Sequence, residues 1–496
     1  MYVYPAGGTL DPMATATVNF DSFLPEGESL FDYQHAGVAY ALVQTADGKG
    51  TWIADEQGLG KTRQAIVTAK VRGSRKILVV CKASLKGNWA KEINRCSPEW
   101  SVQVLGGTRP YETTSQVCII SFDLLATWAD SLLLEGFDCL IVDESHYVKS
   151  VGTPKKPVQR TVAALKIGED IRSRRGLVLL LSGTPLLNRP VELVTQLRLL
   201  GRLEEIAPQP RKGDSDKDWE YSFKFTFCGP QHNGRGYEFK GSSNLDLLNT
   251  RLRGSCFVRR LRKDVLDLDE THRIHTPLSL NGGLDAYKAI EKNFSPDGPG
   301  AYLKLLTDLR LAVGLAKIPA AIDWVETFIE ENPGKKLVVW AWHIEVQQGI
   351  AAALNAAGIK AIYLKGARDI EVAKEAFNEG DAQVIVCSLQ AHREGHTLVG
   401  DGHNVTDCLF VESPWHPGAV SQSEDRINRI GREADAVFAH TLVVDDTVDQ
   451  WLVDLIAAKW DTFRAAADGS IPEAEELDIQ NILLGLLRDR HEGRGK

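Results

Sequence analysis

The chain has 496 residues, 43% hydrophobic and 25% charged, with a formal net charge of -9. That length exceeds what one hydrophobic core normally supports, so two or more domains are expected, with the composition of a globular protein and not a disordered one. No run of about 18 apolar residues occurs, so no membrane span is expected, and the N-terminus lacks the basic-then-apolar pattern of a secretory signal, which points to a cytoplasmic protein. The acidic balance speaks against a uniformly basic nucleic-acid binder. Basic residues are nevertheless concentrated in 251–264, "RLRGSCFVRRLRKD", and in 155–175, so a basic groove on an acidic particle is allowed. The eight cysteines (81, 96, 118, 139, 228, 256, 387 and 408) form no CxxC pair, and several sit in apolar runs. They read as buried thiols in a reducing compartment, with zinc or disulfides the lesser alternatives.

In chain order, 1–28 is a loose arm rich in Gly, Pro and small polar residues. A first series of strands follows at 50–55, 76–81, 116–121, 137–143 and 176–182, with amphipathic helices between several of them. Near-continuous apolar strands separated by helices predict an α/β fold with a mostly parallel sheet covered on both faces. The stretch 201–250 is polar and glycine-containing, and reads as an accessory insertion with exposed loops. A helical stretch at 278–330 precedes a second series of strands at 335–341, 360–365, 382–388, 407–412 and 437–444. The expected division is therefore arm 1–28, first lobe 29–200, insertion and end of that lobe 201–277, helical subdomain 278–330, second lobe 331–450 and helical segment 451–496.

The first chemical motif is "ADEQGLGKT" at 54–62, led by a strand and followed by a helix. Gly58 and Gly60 permit a tight turn whose N–H groups point at phosphate oxygens, and the helix N-terminus favours an anion there. Lys61 would reach the β and γ phosphates of ATP, and Thr62 would place its hydroxyl on Mg2+. The strict pattern has glycine where Asp55 stands; the alternative is an ordinary Gly-rich turn. The second motif is "CLIVDESH" at 139–146, a strand ending in two carboxylates. Asp143 would hold magnesium and Glu144 would polarise the attacking water, or the pair could cap a helix. Gln34, in "SLFDYQHAGVAYAL", could pair with the adenine edge, and Tyr33 or Phe31 could pack on the base or fill core. Arg426 and Arg429, in "QSEDRINRIGR", are three apart and would share a helix face as phosphate-neutralising fingers, with Gln422 positioning water or phosphate. The alternative is a solvated basic helix face paired with Glu424 and Asp425. If the arginines and Lys61 serve one ATP, the nucleotide sits between two lobes.

Taken together, "DYQHAGVAYAL", "DEQGLGKT", "ILVVCKASLKGNWAKEI", "CLIVDESHYVKS", "LLLSGTPLLN" and "QSEDRINRIGR" resemble the SNF2 family of superfamily 2 helicase-like motors, over nearly all of 29–460. The segment at 241–266 looks more specifically like the annealing-helicase branch. The resemblance implies two tandem RecA-like domains with helical insertions, and a DNA-dependent ATPase that translocates on duplex or forked DNA through backbone phosphates. It implies a nucleotide set of Tyr33, Gln34, Asp55, Gln57, Gly58, Leu59, Gly60, Lys61 and Thr62. Catalysis would fall to Lys61, Asp143, Glu144, Gln422, Arg426 and Arg429, and coupling to Ser182, Gly183 and Thr184. DNA would be met by Lys82, Ser84, Lys86 and Asn88, and in the second lobe near Ser388. A monomer is favoured. Lys82 in place of proline, "REGHTL" at 393–398 and Arg432 in place of glutamine depart from the family pattern without removing a group needed for hydrolysis. A strand-separating DNA or RNA helicase and a non-hydrolysing nucleotide-gated module are the competing readings.

Overall fold

The computed structural model describes residues 19–492 apart from 57, 154, 184–189, 211–217, 235, 240, 266–270, 281–282, 297–299, 365–369, 391–397, 402–403, 416, 429–435 and 469–478. It divides into two compact units, Met1–Val265 with Ala465–Glu476, and Leu266–Arg464 with Leu477–Lys496.

The first unit is built on seven parallel strands: β1 Thr51–Ile53, β2 Ile77–Cys81, β3 Val102–Val104, β4 Val117–Ser121, β5 Cys139–Asp143, β6 Leu177–Leu181 and β7 Phe257–Val258. Their order is β7-β1-β6-β5-β2-β4-β3. The central strands are apolar up to their last residue because both faces are covered. Successive residues therefore enter different cores. Leu78, Val80, Leu140, Val142, Val178 and Leu180 lie in one, and Ile77, Val79, Cys139, Ile141, Leu177 and Leu179 in the other. Helices α1 Asp32–Gln44, α2 Lys61–Val71 and α3 Lys86–Cys96 cover the second face through Ala41, Ala65, Ile66, Trp89 and Ile93. Helices α4 Phe122–Leu134 and α5 Gln159–Ser173 cover the first. Full burial of each Leu or Ile here contributes roughly 1.5–3 kcal/mol.

The stretch 201–250 is more integrated than its polarity suggests. Helices Asp218–Phe227 and Leu245–Ser255 send Phe223, Phe227, Leu245, Leu248 and Leu252 into the α4–α5 core. A short ribbon pairs Gln231–His232 with Tyr237–Glu238, and the polar run 211–217 lies outside the described residues.

The second unit carries six parallel strands: β8 His272–Leu278, β9 Leu337–Ala341, β10 Ala361–Tyr363, β11 Val384–Ser388, β12 Asp407–Phe410 and β13 Phe438–Val444, ordered β8-β13-β12-β9-β11-β10. The same alternation holds, with Val338, Trp340, Ile385 and Cys387 on one face and Leu337, Val339, Val384 and Val386 on the other. Strand β8 lies within the span expected to close the first lobe, yet all seven of its residues pair with β13. Helices Asp285–Lys292, Ala301–Ala316, Val448–Asp468 and Ile479–His491 pool their apolar residues in one helical cluster. The two helical stretches at 278–330 and 451–496 thus share a core. All eight cysteines are buried and unbridged, and no helix among the described residues is long and apolar enough to cross a membrane.

Glu412, just past β12, is 3% exposed. It accepts the N–H groups of Trp342 (2.8 Å) and His343 (2.9 Å) and faces His343 Nδ1 at 2.6 Å. Burial alone would raise its pKa. The His343 hydrogen bonds and charge, with the Arg310 cation, outweigh burial and hold the carboxyl below 4.5. A depressed folded pKa stabilises above the unfolded value, and that contribution disappears as pH falls through the folded one. Glu412→Gln should therefore cost roughly 1.5–3 kcal/mol at neutral pH, the range for hydrogen bonds to a charged group. Thermal melts of both proteins from pH 7 downward check this: the gap should close below about pH 4.5, and a gap independent of pH contradicts it.

Candidate nucleotide site

The carboxyl ends of β1, β6 and β5 lie side by side in the parallel sheet, the edge at which such sheets bind ligands. Strand β6 stands between β1 and β5, bringing Ser182 and Gly183 to the middle of the edge.

After Ile53 the chain leaves the sheet through 54–60 and enters α2 at Lys61. Gly58 (φ 85°) and Gly60 (φ 69°) are left-handed, conformations that side chains resist. At Gly60 space is also limiting, since a Cβ would stand 2.3 Å from Gln34 Nε2. The Lys61 ammonium donates to the backbone oxygens of Asp55 (2.9 Å) and Glu56 (3.2 Å), so the loop closes on its own lysine. Burial lowers the Lys61 pKa, opposed by the carboxylates of Glu144, Asp55 and Asp143.

Asp143 ends β5, and Glu144 follows in the left-handed region at φ 48°. This is a strained conformation for a residue with a side chain, of a kind that clusters at functional sites. Asp143 Oδ2 accepts the indole N–H of Trp89 (2.8 Å) and Oδ1 accepts the Glu144 N–H (3.0 Å). Burial, then the Glu144 charge, pushes the Asp143 carboxyl up to about 6. Burial acts on Glu144 too, but His146, Lys61 and Lys82 outweigh it and hold that carboxyl low, about 2. His146 Nδ1 lies 3.3 Å from Glu144 Oε2 without hydrogen-bond alignment, and that oxygen has no hydrogen-bond donor among the described residues. Beside His146, that buried oxygen keeps lone-pair capacity for a further donor.

The donors fit a magnesium ion held partly by substrate. Asp143 brings one carboxylate with lone pairs to spare, and Thr62 opens α2 beside Lys61. No cluster of three or more His, Cys, Asp or Glu suited to a metal occurs among the described residues.

Two residues of the expected nucleotide set bond within the framework of the loop. Gln34 Nε2 donates to Leu59 O (3.1 Å) and its Oε1 accepts from Phe31 N (3.1 Å), so its amide braces the loop. Asp55 is fully buried and accepts from Arg260 N (3.0 Å), Arg260 Nε (2.9 Å), Arg260 Nη2 (2.6 Å) and Gln64 Nε2 (2.9 Å). Both of its oxygens are engaged twice, by Arg260 and Gln64. Tyr33 is buried, stacked on the half-exposed Phe31 at 5.7 Å, with Arg260 5.7 Å from its ring. Gln57 and Thr184 lie outside the described residues.

The basic run at 251–264 does not supply a groove at its centre. Arg259 and Arg260 are 8% and 6% exposed, and Arg259 Nη1 donates to Ala54 O (2.8 Å) and Gly183 O (3.0 Å). Sequence reasoning missed both as site residues, along with Trp89. The available sign was the apolar "CFV" before the arginines, which marks a strand feeding the sheet. Among the residues expected to meet DNA, Lys82 stands over the Tyr147 ring at 4.8 Å and Lys86 donates to Leu105 O at 2.9 Å. Ser84 and Asn88 flank them on the turn and helix after β2.

In the second unit, Arg426 and Gln422 are each 3% exposed. The helix carrying Gln422 ends at Glu424, so Arg426 does not lie on a helix face. Its backbone N–H closes a turn onto Ser423 O (3.1 Å) and its Nε donates to Gln422 O (3.0 Å). Glu424 is not paired with that arginine; it holds Arg273 of β8 at 2.5 Å. Ser388 ends β11 and accepts from Gln390 N (3.2 Å). Arg429 and Arg432 lie outside the described residues, as does 391–397.

The SWI/SNF-related matrix-associated actin-dependent regulator of chromatin subfamily A-like protein 1 of Xenopus tropicalis is 30% identical over 452 residues, covering 87% of this chain and 44% of the relative. The DNA annealing helicase and endonuclease ZRANB3 of Mus musculus is 28% identical over 468 residues, covering 88% and 41%. The chain thus spans under half the length of these relatives. The SWI2/SNF2 ATPase core of Sulfolobus solfataricus, solved with dsDNA, aligns at TM-score 0.40 and 20% identity over 89% of this chain and 94% of that one, a likeness too loose to add to the strand order above. Residues 33–288, more than half of the chain, match the SNF2-related domain, and the chain belongs to that family.

Proposed function

We propose that this chain is an ATP hydrolase whose turnover is stimulated by double-stranded DNA and drives movement along the duplex, of the kind found in the annealing-helicase branch of its family. The observation that carries the reading is the convergence of Lys61, Asp143 and Glu144 on one carboxyl edge, with electrostatic coupling among all three. Lys61 would bind the terminal phosphates, and Thr62 and Asp143 would hold magnesium, which when bound neutralises charge between those phosphates. Glu144 is kept ionised and offers a lone oxygen, so it would orient the attacking water and take its proton late, as a loose phosphoryl-transfer transition state allows.

Lys82 and Lys86 follow β2 on the same edge and are suited to backbone phosphates, contacts that ignore sequence and weaken with salt. Membership of the family and likeness to a relative named a DNA annealing helicase support the duplex as track. The test offers the full chain duplex, forked and single-stranded DNA and RNA at fixed salt, followed by triplex displacement. Duplex-stimulated turnover with displacement of the third strand is expected; stimulation by RNA alone overturns the reading, and unwinding of a fork without triplex displacement favours a strand-separating helicase.

A further inference from the structure

We propose that Arg259 and Arg260 form a positioning latch that sets the shape of the phosphate loop, with Asp55 as its socket. The inference rests on the ATP-hydrolase reading for its kinetic consequence, and on geometry alone for its structural one. Arg260 reaches the loop from 205 residues away. It binds Asp55 at the loop's entrance, and its Nη2 also donates to Gln64 Oε1 (2.9 Å), one turn into the helix at the exit. Asp55 and Gln64 are themselves joined, so one guanidinium fixes both ends of the segment that holds Lys61. The same arginine donates to Tyr33 O at the start of α1. Backbone bonds continue the β1–β7 ladder past the strands, from Ala54 N to Val258 O (2.8 Å) and Glu56 N to Arg260 O (2.9 Å). Arg259 adds the third side by joining Ala54 O to Gly183 O.

A helix-interior glycine is shaped around this network. A Cβ on Gly37 of α1 would stand 2.0 Å from Gln64 Oε1 and 2.4 Å from Arg260 Nη2. Glycine is unfavourable in a helix interior relative to alanine, and what it yields is passage for the latch. The first unit ends at Val265, a few residues beyond Arg260.

A salt bridge between Asp55 and Arg260 could serve only to hold the fold together, so the test removes both charges at once. In Asp55→Leu/Arg260→Met no buried charge is orphaned, and stability should survive where Arg260→Ala alone would lose it. Hydrogen–deuterium exchange of the nucleotide-free full chain then reads the loop directly. Amides of 55–62 should exchange at least about tenfold faster in the double variant and in Gly37→Ala, while β2, β4 and β5 keep their protection. The same proteins should show an ATP KM raised about tenfold or more with kcat changed less, the pattern of lost ground-state binding. A folded double variant with wild-type exchange at 55–62 overturns the latch whatever the enzyme does. Absence of ATP hydrolysis in the wild type would instead strike the functional reading and leave the exchange result to decide the latch.

Discussion

Glu144→Gln is expected to lower ATP turnover by about 10²–10⁴, the usual contribution of a positioned acid–base group, while ATP still binds. The substitution keeps the side chain's shape and removes its charge. The Oε2 oxygen that lacks a donor among the described residues becomes half of an amide, so the site loses its anionic acceptor for a water proton. Binding survives because Glu144 reaches no phosphate in this account; Lys61 and the loop do that. Removing a carboxylate beside Asp143 also takes away one of the two influences that push the Asp143 carboxyl up, so Asp143 should ionise more readily and magnesium should bind at least as well. Single-turnover hydrolysis and equilibrium binding of ATP, measured on the same preparation, separate the two effects. Equal loss of binding and turnover would remove Glu144 from its role.

Lys61→Ala is expected to weaken both. The lysine donates to the carbonyls of Asp55 and Glu56, so its loss frees the loop and removes the cation that would meet the terminal phosphates. Losing one preorganised donor to developing charge typically costs about 10²–10³ in rate, and here a binding loss is added. The fold should tolerate the change, because the loop remains anchored by Gln34 and by Arg260. Lysine removal also leaves Asp143 and Glu144 with one fewer nearby cation, which should raise the affinity of the nucleotide-free site for protons or magnesium. A variant that binds ATP as tightly as the wild type, measured by calorimetry, contradicts this account of the loop.

Ten strands were legible, most of them because burial on both faces leaves uninterrupted apolar runs such as "ILVVC" and "LVLLL". The three that escaped lie at sheet edges. Val102–Val104 is only partly buried, Phe257–Val258 is two residues long, and the pattern of His272–Leu278 is largely exposed, so none carries an apolar run as long as those of the other strands. The phosphate loop and the acidic pair were legible for a different reason: each keeps its chemistry within a few consecutive residues. The Asp55–Arg260 pair shows where such reading stops. Nothing local distinguishes a surface arginine from one that crosses the fold to reach a buried carboxylate, and the departure from glycine at position 55 looked like a defect in a motif when it is one half of an ion pair. The end of the helix at Glu424 was likewise hidden, since "QSEDRINRIGR" contains no proline or early glycine to stop it, and the turn is made by backbone bonds from Arg426 and Ile427 to residues three positions earlier.

The most direct test is steady-state ATP hydrolysis by the full chain with magnesium, with and without duplex DNA, beside Lys61→Ala under the same salt. Magnesium-dependent hydrolysis that rises with duplex and vanishes in the variant is predicted. Hydrolysis that is the same in both proteins, or absent from the folded wild type with every polymer, would contradict it.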